Sequence, residues 1–463
     1  MAEIKFGTSG WRAVLAEDFT FGNARRVVEA IARVLTADGR KGARVLVGYD
    51  TRFLASRFAA EAARVLARSG FEAPVAARPV PTPVLAFEIR RQKAAGGVNF
   101  TASHNPPQYL GIKFSTADGA PALPEVTERI EVEIAKIPQA APPQPSDVPS
   151  FDPVPAYLED LHTKVKVAEV GRGSPHFSLD FRFGTSSGFL DGYLQSAAGE
   201  LYRLNAKADP LFGGESPQCG EKELRRLAEE VRQRRSRLGL SCDGDADRFG
   251  ICDEKGAYVS PNLVLALLFR DFLVRKGRRG GVARSVATTH ALDALAQEHG
   301  VAHYETPVGF KYIGEKLIAG EIIFGGEESA GLTIEGHVPE KDGILADLLV
   351  AEMVGGTGRT ISELAAELDS EVGPYRSTRA DMPLSPAEQA KMRELRSAPP
   401  DSVAGRKVAS VNRLDGIKLI FQDGSWILIR ESGTEPLARL YVEARSEKDV
   451  QALAAAGREL LRV

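Results

Sequence analysis

Apolar residues along the first part of the chain switch between two periods. Arg44-Val-Leu-Val-Gly-Tyr49 is a short continuous apolar run of the kind that fills a buried strand. Asp50-Thr51-Arg52 interrupts it as a turn, and from Phe53 to Arg68 apolar residues recur at helical spacing. The unit returns at Phe177-Ser-Leu-Asp-Phe-Arg-Phe183, then the turn Gly184-Thr-Ser-Ser-Gly188 and a predicted helix through Leu201. A fainter third copy runs from Gly281-Val-Ala-Arg-Ser-Val-Ala287 through Thr288-Thr289-His290 to a helix ending at His299. Strands alternating with helices predict βαβ units and a largely parallel sheet, so the fold class expected is α/β, with three related units.

The last part of the chain follows another pattern. Leu419-Ile-Phe421 and Trp426-Ile-Leu-Ile429 flank Asp423-Gly424, a hairpin signal, and Leu440-Tyr-Val-Glu443 precedes an amphipathic helix from Glu447 to Leu461. This predicts a smaller α+β domain of roughly 90 residues. Proline crowds the stretch from Pro138 to Pro155, which reads as an extended, semi-rigid connection. The expected divisions are 1–150, 151–256, 257–370 and 371–463.

Composition narrows the function classes. With Lys+Arg 59 against Asp+Glu 62, the net charge is −3, which argues against a dedicated nucleic-acid or membrane-surface binder. Any anionic substrate must meet locally gathered positive charge. The 3 cysteines, Cys219, Cys242 and Cys252, form no CxxC pair, so neither a disulfide scaffold nor a thiolate zinc site is expected, and a reducing cytosol fits best. The N-terminal residues lack a signal-peptide apolar core, and the run Leu263–Val274 is too short to span a bilayer.

Four segments carry candidate chemistry. Thr101-Ala-Ser103-His104-Asn105-Pro-Pro107, followed by Gly111-Ile-Lys113, sits after a predicted strand, where α/β proteins place ligands. A serine hydroxyl there needs a base or electrostatic help, and His104 and Lys113 are the nearby candidates; a plain turn is the alternative. Asp243-Gly-Asp245-Ala-Asp247-Arg248 spaces three carboxylates so that they can converge on one hard cation. An EF-hand is disfavoured, since Arg248 stands where that loop needs glycine and the flanks read as strands. Magnesium suits a site with few carboxylates plus phosphate oxygens. Gly325-Gly-Glu327-Glu328-Ser329-Ala-Gly331 suits polyhydroxyl recognition or a helix N-cap. Arg430-Glu-Ser432-Gly433-Thr434-Glu-Pro436 combines a guanidinium, hydroxyls and a turn, and is either a phosphate cradle or a plain turn. Gly184-Thr-Ser186-Ser-Gly188 matches a nucleophile elbow, but no oxyanion motif accompanies it and no P-loop is present.

In order along essentially the whole chain, these segments resemble the α-D-phosphohexomutase family. Gly7-Thr-Ser-Gly-Trp-Arg12 is similar to its N-terminal substrate loop, Thr101–Pro107 to its phosphoserine loop and Asp243–Arg248 to its magnesium loop. Thr306-Pro-Val-Gly309-Phe-Lys311 resembles its third-domain substrate loop, Gly326–Ser329 its sugar-hydroxyl loop and Arg430–Pro436 its phosphate loop. The resemblance implies four domains around a central cleft, three related mixed α/β units and a smaller C-terminal α+β domain. It implies that Ser103 carries a phosphoryl group, lends it to a hexose monophosphate and recovers it from the bisphosphate formed. The cofactors implied are one Mg2+, held by Asp243, Asp245, Asp247 and a phosphate oxygen on Ser103, and glucose 1,6-bisphosphate as activator and intermediate.

The resemblance further implies catalytic roles for Ser103, His104, Lys113, Arg12, Lys341 and His337. It implies substrate contacts from Arg248, Arg284, Gly309, Glu327, Ser329, Arg430, Ser432, Gly433, Thr434 and Arg439. Lys113 is the first candidate for the general base and Lys341 the second, its pKa expected to be lowered by burial or crowding. Two departures from the family pattern stand out: Gly331 replaces a histidine found in some members, and Leu110 replaces an asparagine. Glu327-Glu328-Ser329 resembles the glucose-selective form of the sugar loop, so interconversion of glucose 1-phosphate and glucose 6-phosphate is expected. Dual action on mannose phosphates is the alternative; a glucosamine phosphate substrate or a non-catalytic sensor follows behind. A cytoplasmic monomer or weak homodimer, with no nucleic-acid or membrane partner, completes the expectation.

Overall fold

The computed structural model describes residues 4–7, 10–431 and 437–461. The apolar runs become strands buried along their length because main-chain ladders on both sides leave no polar edge to expose. The first sheet contains β1 (Trp11–Val14), β2 (Val45–Tyr49), β3 (Val75–Ala76), β4 (Gly96–Phe100), β5 (Tyr109–Thr116) and β6 (Ser150–Phe151), in the spatial order β1-β5-β4-β2-β3-β6. The second contains β7 (His176–Asp180), β8 (Glu200–Leu204), β9 (Leu238–Cys242), β10 (Phe249–Cys252) and β11 (Tyr258–Val259), in the order β11-β10-β9-β7-β8. The third contains β12 (Gly281–Ser285), β13 (His303–Thr306), β14 (Ile322–Glu327) and β15 (Gly331–Ile334), in the order β13-β12-β14-β15.

One four-strand pattern recurs in all three: β3-β2-β4-β5, β8-β7-β9-β10 and β13-β12-β14-β15. In each, three strands run parallel and the fourth folds back antiparallel on the third. The sheets are therefore mixed rather than largely parallel. The closing hairpins carry loops 101–108, 243–248 and 328–330. Each of these loops contains one non-glycine residue in the left-handed region: Ser103 at φ 50°, Ala246 at 56° and Ala330 at 68°.

Other expectations shift with the tertiary structure. The helix after Gly188 spans only Leu190–Leu194, and Leu201 lies in β8, because the parallel ladder with β7 overrides local preference. The chain leaves the first sheet only after Phe151, which pairs with Ala76, and the second only after Val259. The helix Ile361–Val372 crosses the expected division at 370. The proline-rich stretch 138–155 is held along the first unit, where Arg25 and Arg64 donate to the carbonyls of Ala140 and Ser146.

One buried cluster runs from Leu46 and Val84 in the first unit through Leu179 and Leu240 in the second to Phe324 and Leu349 in the third. The helix Gly343–Thr357 is buried nearly all round between the second and third sheets, consistent with its uniformly apolar sequence. The last unit is an antiparallel sheet of β16 (Arg376–Pro383), β17 (Ser402–Val403), β18 (Arg406–Asn412), β19 (Ile417–Phe421), β20 (Trp426–Glu431) and β21 (Leu437–Ala444), in the order β16-β21-β20-β19-β18-β17. Trp426, Leu428 and Tyr441 pack against Val286 and Ala287 of the third unit. All three cysteines are free and buried, and no helix among the described residues is long and apolar enough to cross a membrane.

Candidate active site

The closing hairpins of the first two units meet. Ser103 Oγ donates to Asp243 Oδ2 at 3.1 Å and lies 3.3 Å from His104 Nδ1. Arg52 fixes the serine loop from below. Its guanidinium, with no exposed side-chain surface, donates to the carbonyls of Ser103, Asn105, Pro106 and Tyr109 and pairs with Asp50 at 3.1 Å. Those bonds over-determine a loop that holds a serine at positive φ. Sequence reasoning treats Asp50-Thr51-Arg52 only as a turn. The signal it leaves unused is the matching Asp180-Phe181-Arg182 after the first strand of the second unit, where Arg182 donates to the carbonyls of Ser216 and Glu223.

The carboxylates of Asp243, Asp245 and Asp247 lie with one oxygen from each within 4.8 Å of the others, all buried. Asp245 Oδ1 and Asp247 Oδ1 are buried without a hydrogen-bond partner. An all-oxygen donor set with two unsatisfied carboxylate oxygens fits a hard divalent cation such as Mg2+. Burial, and then repulsion from Asp247 and Asp245, drives the Asp243 carboxyl well above its usual range. Burial also opposes ionisation of Asp247, but Lys113, Lys341 and Arg248 together hold it well below the ordinary value.

Lys113 Nζ donates to Asp245 Oδ2 at 2.6 Å and Asp247 Oδ2 at 2.8 Å, while Lys341 Nζ stands 3.2 Å from Asp247 Oδ2. The lowered pKa expected of Lys341 is not found. Burial pulls it down, but Asp247, Glu340 and Glu327 outweigh that and raise it. Lys113 is raised for the same reason, by Asp245 and Asp247. Gly331 explains how Lys341 fits: a Cβ there would stand 2.3 Å from Lys341 Cδ. Thr82 and Glu340 belong to the site without having been legible in the sequence. Thr82 Oγ1 donates to Asp245 Oδ2 at 2.6 Å, and Glu340 Oε1 lies 3.6 Å from Lys341 Nζ.

Arg12 and Arg248 border the cluster. Arg12 Nη1 donates to Asn105 Oδ1 at 2.6 Å, and Arg248 Nε, buried and unbonded, stands 3.8 Å from Asp247 Oδ1. Burial, and then Arg248 and Arg12, hold the His104 imidazole well below its usual pKa, hence neutral. In the third unit, Gly309 N donates to Glu327 Oε1 at 2.8 Å and Ser329 Oγ reaches Glu327 Oε2 at 3.5 Å. Burial and the neighbouring Glu328 push Glu327 up to about 7. Glu328 turns away, accepting from Ser285 Oγ at 2.8 Å and Thr288 Oγ1 at 3.1 Å.

In the last unit Arg430 and Arg439 are direct cross-strand partners on β20 and β21, facing Asp415 at 3.1 Å and Asp381 at 3.9 Å respectively. Ser432, Gly433 and Thr434 lie outside the described residues.

Two expected site residues are held elsewhere. Arg284 is enclosed by Asp293, which takes Nε and Nη2, and by Glu305 and the Ser285 carbonyl, which take Nη1. His337 is buried between Asp342, 2.8 Å from Nε2, and Asp160, 3.6 Å from Nδ1, in a cluster completed by the Tyr157 hydroxyl on Asp342. That cluster joins the second and third units rather than the serine. Ser186, the elbow candidate, is buried with an unbonded Oγ and no base beside it.

Descriptions of the phosphoglucomutase/phosphomannomutase alpha/beta/alpha domains I, II and III match residues 3–141, 155–256 and 260–371, and that of the C-terminal domain matches 388–460. The chain belongs to this family. A Thermococcus gammatolerans relative named "probable phosphoglucosamine mutase" is 31% identical over 97% of this chain and 96% of its own. A "phosphoglucomutase/phosphomannomutase" of Thermococcus kodakarensis is 29% identical over 98% of both chains. A crystal structure from Thermus thermophilus, named for a phosphomannomutase, superposes with a TM-score of 0.88 at 35% identity, covering 99% of each chain. Members of the family are mutases, isomerases that shift a phosphoryl group on a hexose, and this chain is one of them.

Proposed function

We propose that the chain interconverts glucose 1-phosphate and glucose 6-phosphate through a phosphorylated Ser103 and a glucose 1,6-bisphosphate intermediate. The observation that carries this reading is the contact of Ser103 Oγ with Asp243 across two units, beside the unsatisfied oxygens of Asp245 and Asp247. Asp243, Asp245 and Asp247, with a phosphate oxygen on Ser103, would hold Mg2+, which when bound offsets negative charge next to the transferred group.

The protein's own share is positioning and charge. The Ser103 Oγ–P bond breaks as a sugar hydroxyl forms its new P–O bond. The hydroxyl gives up its proton and Ser103 Oγ ends protonated. The neutral His104 imidazole, 3.3 Å from Oγ, would orient that oxygen by a hydrogen bond, since burial, Arg248 and Arg12 oppose its protonation. Beside the ionised aspartates, Lys113 and Lys341 are held toward the protonated form and would act there as cations. Glu327 and Ser329 would receive sugar hydroxyls, and Arg430, with residues 432–434, the distal phosphate. The proposed division is into units 1–150, 151–256, 257–370 and 371–463.

A second reading, dual action on glucose and mannose phosphates, is favoured by Glu328. The side chain that sets the glucose-type pattern apart bonds to Ser285 and Thr288 instead of opening toward a ligand. Comparing kcat/KM for glucose 1-phosphate, mannose 1-phosphate and glucosamine 1-phosphate, with Mg2+ and a trace of bisphosphate, decides between them. A preference for glucose of tenfold or more supports the first reading, near-equality with mannose the second, and preference for the amino sugar overturns both. Ser103→Ala should abolish turnover while leaving sugar-phosphate binding; full activity in that variant would refute the phosphoserine.

A further inference from the structure

Asp415 belongs to neither of the expected substrate loops, yet it touches both. It sits just before β19, where Gly416 takes φ 84° and a Cβ would stand 2.4 Å from Ile429 O and 2.7 Å from Arg430 Cβ. That close approach brings the Asp415 carboxylate alongside Arg430. Asp415 Oδ2 is 3.1 Å from Arg430 Nη2, and the same oxygen accepts from Val308 N at 3.0 Å. The next amide, Gly309 N, donates to Glu327. Two successive amides of the third-unit loop thus face one carboxylate from the last unit and one from their own. Arg430 is 8% exposed, and its Nε is buried without a hydrogen-bond partner. Arg439, which faces Asp381, lies directly across the strand, so two guanidinium groups share this face.

We propose that Asp415 is a positioning residue that serves as an internal counter-anion at the phosphate arginine. It holds Arg430 while no substrate phosphate is present and ties loop 306–309 to the last unit, so that an incoming phosphate competes with it for the guanidinium. The inference rests on the reading of Arg430 as a phosphate contact. Two carboxylate-like anions sharing one guanidinium repel each other, so the resident one lowers affinity for the newcomer. Asp415→Asn removes the charge and keeps an oxygen for Val308 N; Asp415→Ala removes both.

Titration of the full-length chain with inorganic phosphate, by calorimetry, measures the competition directly. In Asp415→Asn the dissociation constant for phosphate should fall roughly three- to tenfold, the scale of a partly exposed ion pair, with KM for glucose 1-phosphate falling in parallel and kcat within about twofold. Asp415→Ala should also bind phosphate more tightly but lose at least about fivefold in kcat, because loop 306–309 is no longer moored. An unchanged or weaker phosphate affinity in Asp415→Asn overturns the inference. Arg430→Ala separates the two layers of the argument. If it leaves phosphate affinity untouched, the reading of Arg430 fails; if it weakens binding while the Asp415 variants do nothing, only the counter-anion is wrong.

Discussion

Lys113 of the first unit and Asp247 of the second are joined across the unit boundary, Nζ to Oδ2, at 2.8 Å. With Lys341 on the same oxygen, a pair of ammonium groups occupies part of the field that three buried carboxylates would otherwise direct at one another. The acidic loop is thereby stabilised before any divalent cation arrives.

The first prediction follows from those lysines. Chelation should reduce mutase activity by more than about 100-fold, since charge beside the transferred group is then left uncompensated. It should lower Tm by only a few degrees, because Lys113 and Lys341 remain as partners. Activity assays and thermal melts with and without EDTA check both parts; unfolding on chelation would show that the lysines do not suffice.

Arg52 offers a second test. Arg52→Lys keeps the charge but cannot reach four carbonyls at once. We expect a stability loss of about 2–4 kcal/mol and at least a tenfold fall in kcat, with KM little changed, since the loop that aims Ser103 is loosened while the sugar loops are intact. A kcat equal to that of the parent would show that the serine loop holds its shape unaided.

Glu327 supplies a pH dependence. Its carboxyl is raised to about 7 against an ordinary value of 4.5. The folded state therefore keeps this proton more tightly than the unfolded state, and the stability so gained is complete below pH 4.5 and lost as pH rises to about 7. Glu327→Gln, which cannot ionise, should be more stable than the parent by about 1–3 kcal/mol at pH 8 and nearly equal at pH 4.5. Denaturant melts at the two pH values measure the difference. If Glu327 accepts sugar hydroxyls as a carboxylate, parent KM should fall as pH rises through 7, and that trend should vanish in the variant.

The junction of the last two units gives a fourth prediction. Lys418 is fully buried, its Nζ contacting Val286 O, His290 Nε2 and Glu305 Oε1, each at 2.8 Å. Burial, and then Arg284, lower it from 10.5 to about 8. Here the unfolded state binds the proton more tightly, so stability rises with pH between about 8 and 10.5. Lys418→Met should remove that rise and cost about 1–3 kcal/mol at pH 7 by leaving the Val286 carbonyl without its donor, while Glu305 keeps Arg284 and Asn412. Melts of parent and variant across pH 7–10.5 test it; parallel curves would mean that Lys418 does not titrate in this range.

Much of this architecture can be read from the chain alone, for reasons that also mark the limit. Apolar runs and glycine-bounded turns reveal strands such as β2, β7 and β12, because burial on both faces leaves a continuous apolar signature. The acidic trio and Ser103 stand out because their chemistry is local. What escapes is whatever depends on long-range pairing. The repeat is most informative at the closing hairpins, whose loops share no residue pattern, only a position in the sheet and one left-handed residue. Thr82 is an ordinary helix-start residue until Asp245 is folded against it. Arg284 looks like a free cation in the sequence, since nothing local announces that Asp293 and Glu305 enclose it. The rise in the Lys341 pKa needs three carboxylates from separate segments, a sum no linear spacing encodes.

The recurrence of one hairpin in three sheets has an evolutionary corollary. Each loop hangs from strands whose register is fixed by their own ladder, so side chains at 328–330 can be rewritten while the strands that carry Ser103 and the aspartates keep their register. With the roles proposed above, descent by triplication would have left an ancestor with three like sockets, to which nucleophile, cation and sugar could be assigned separately.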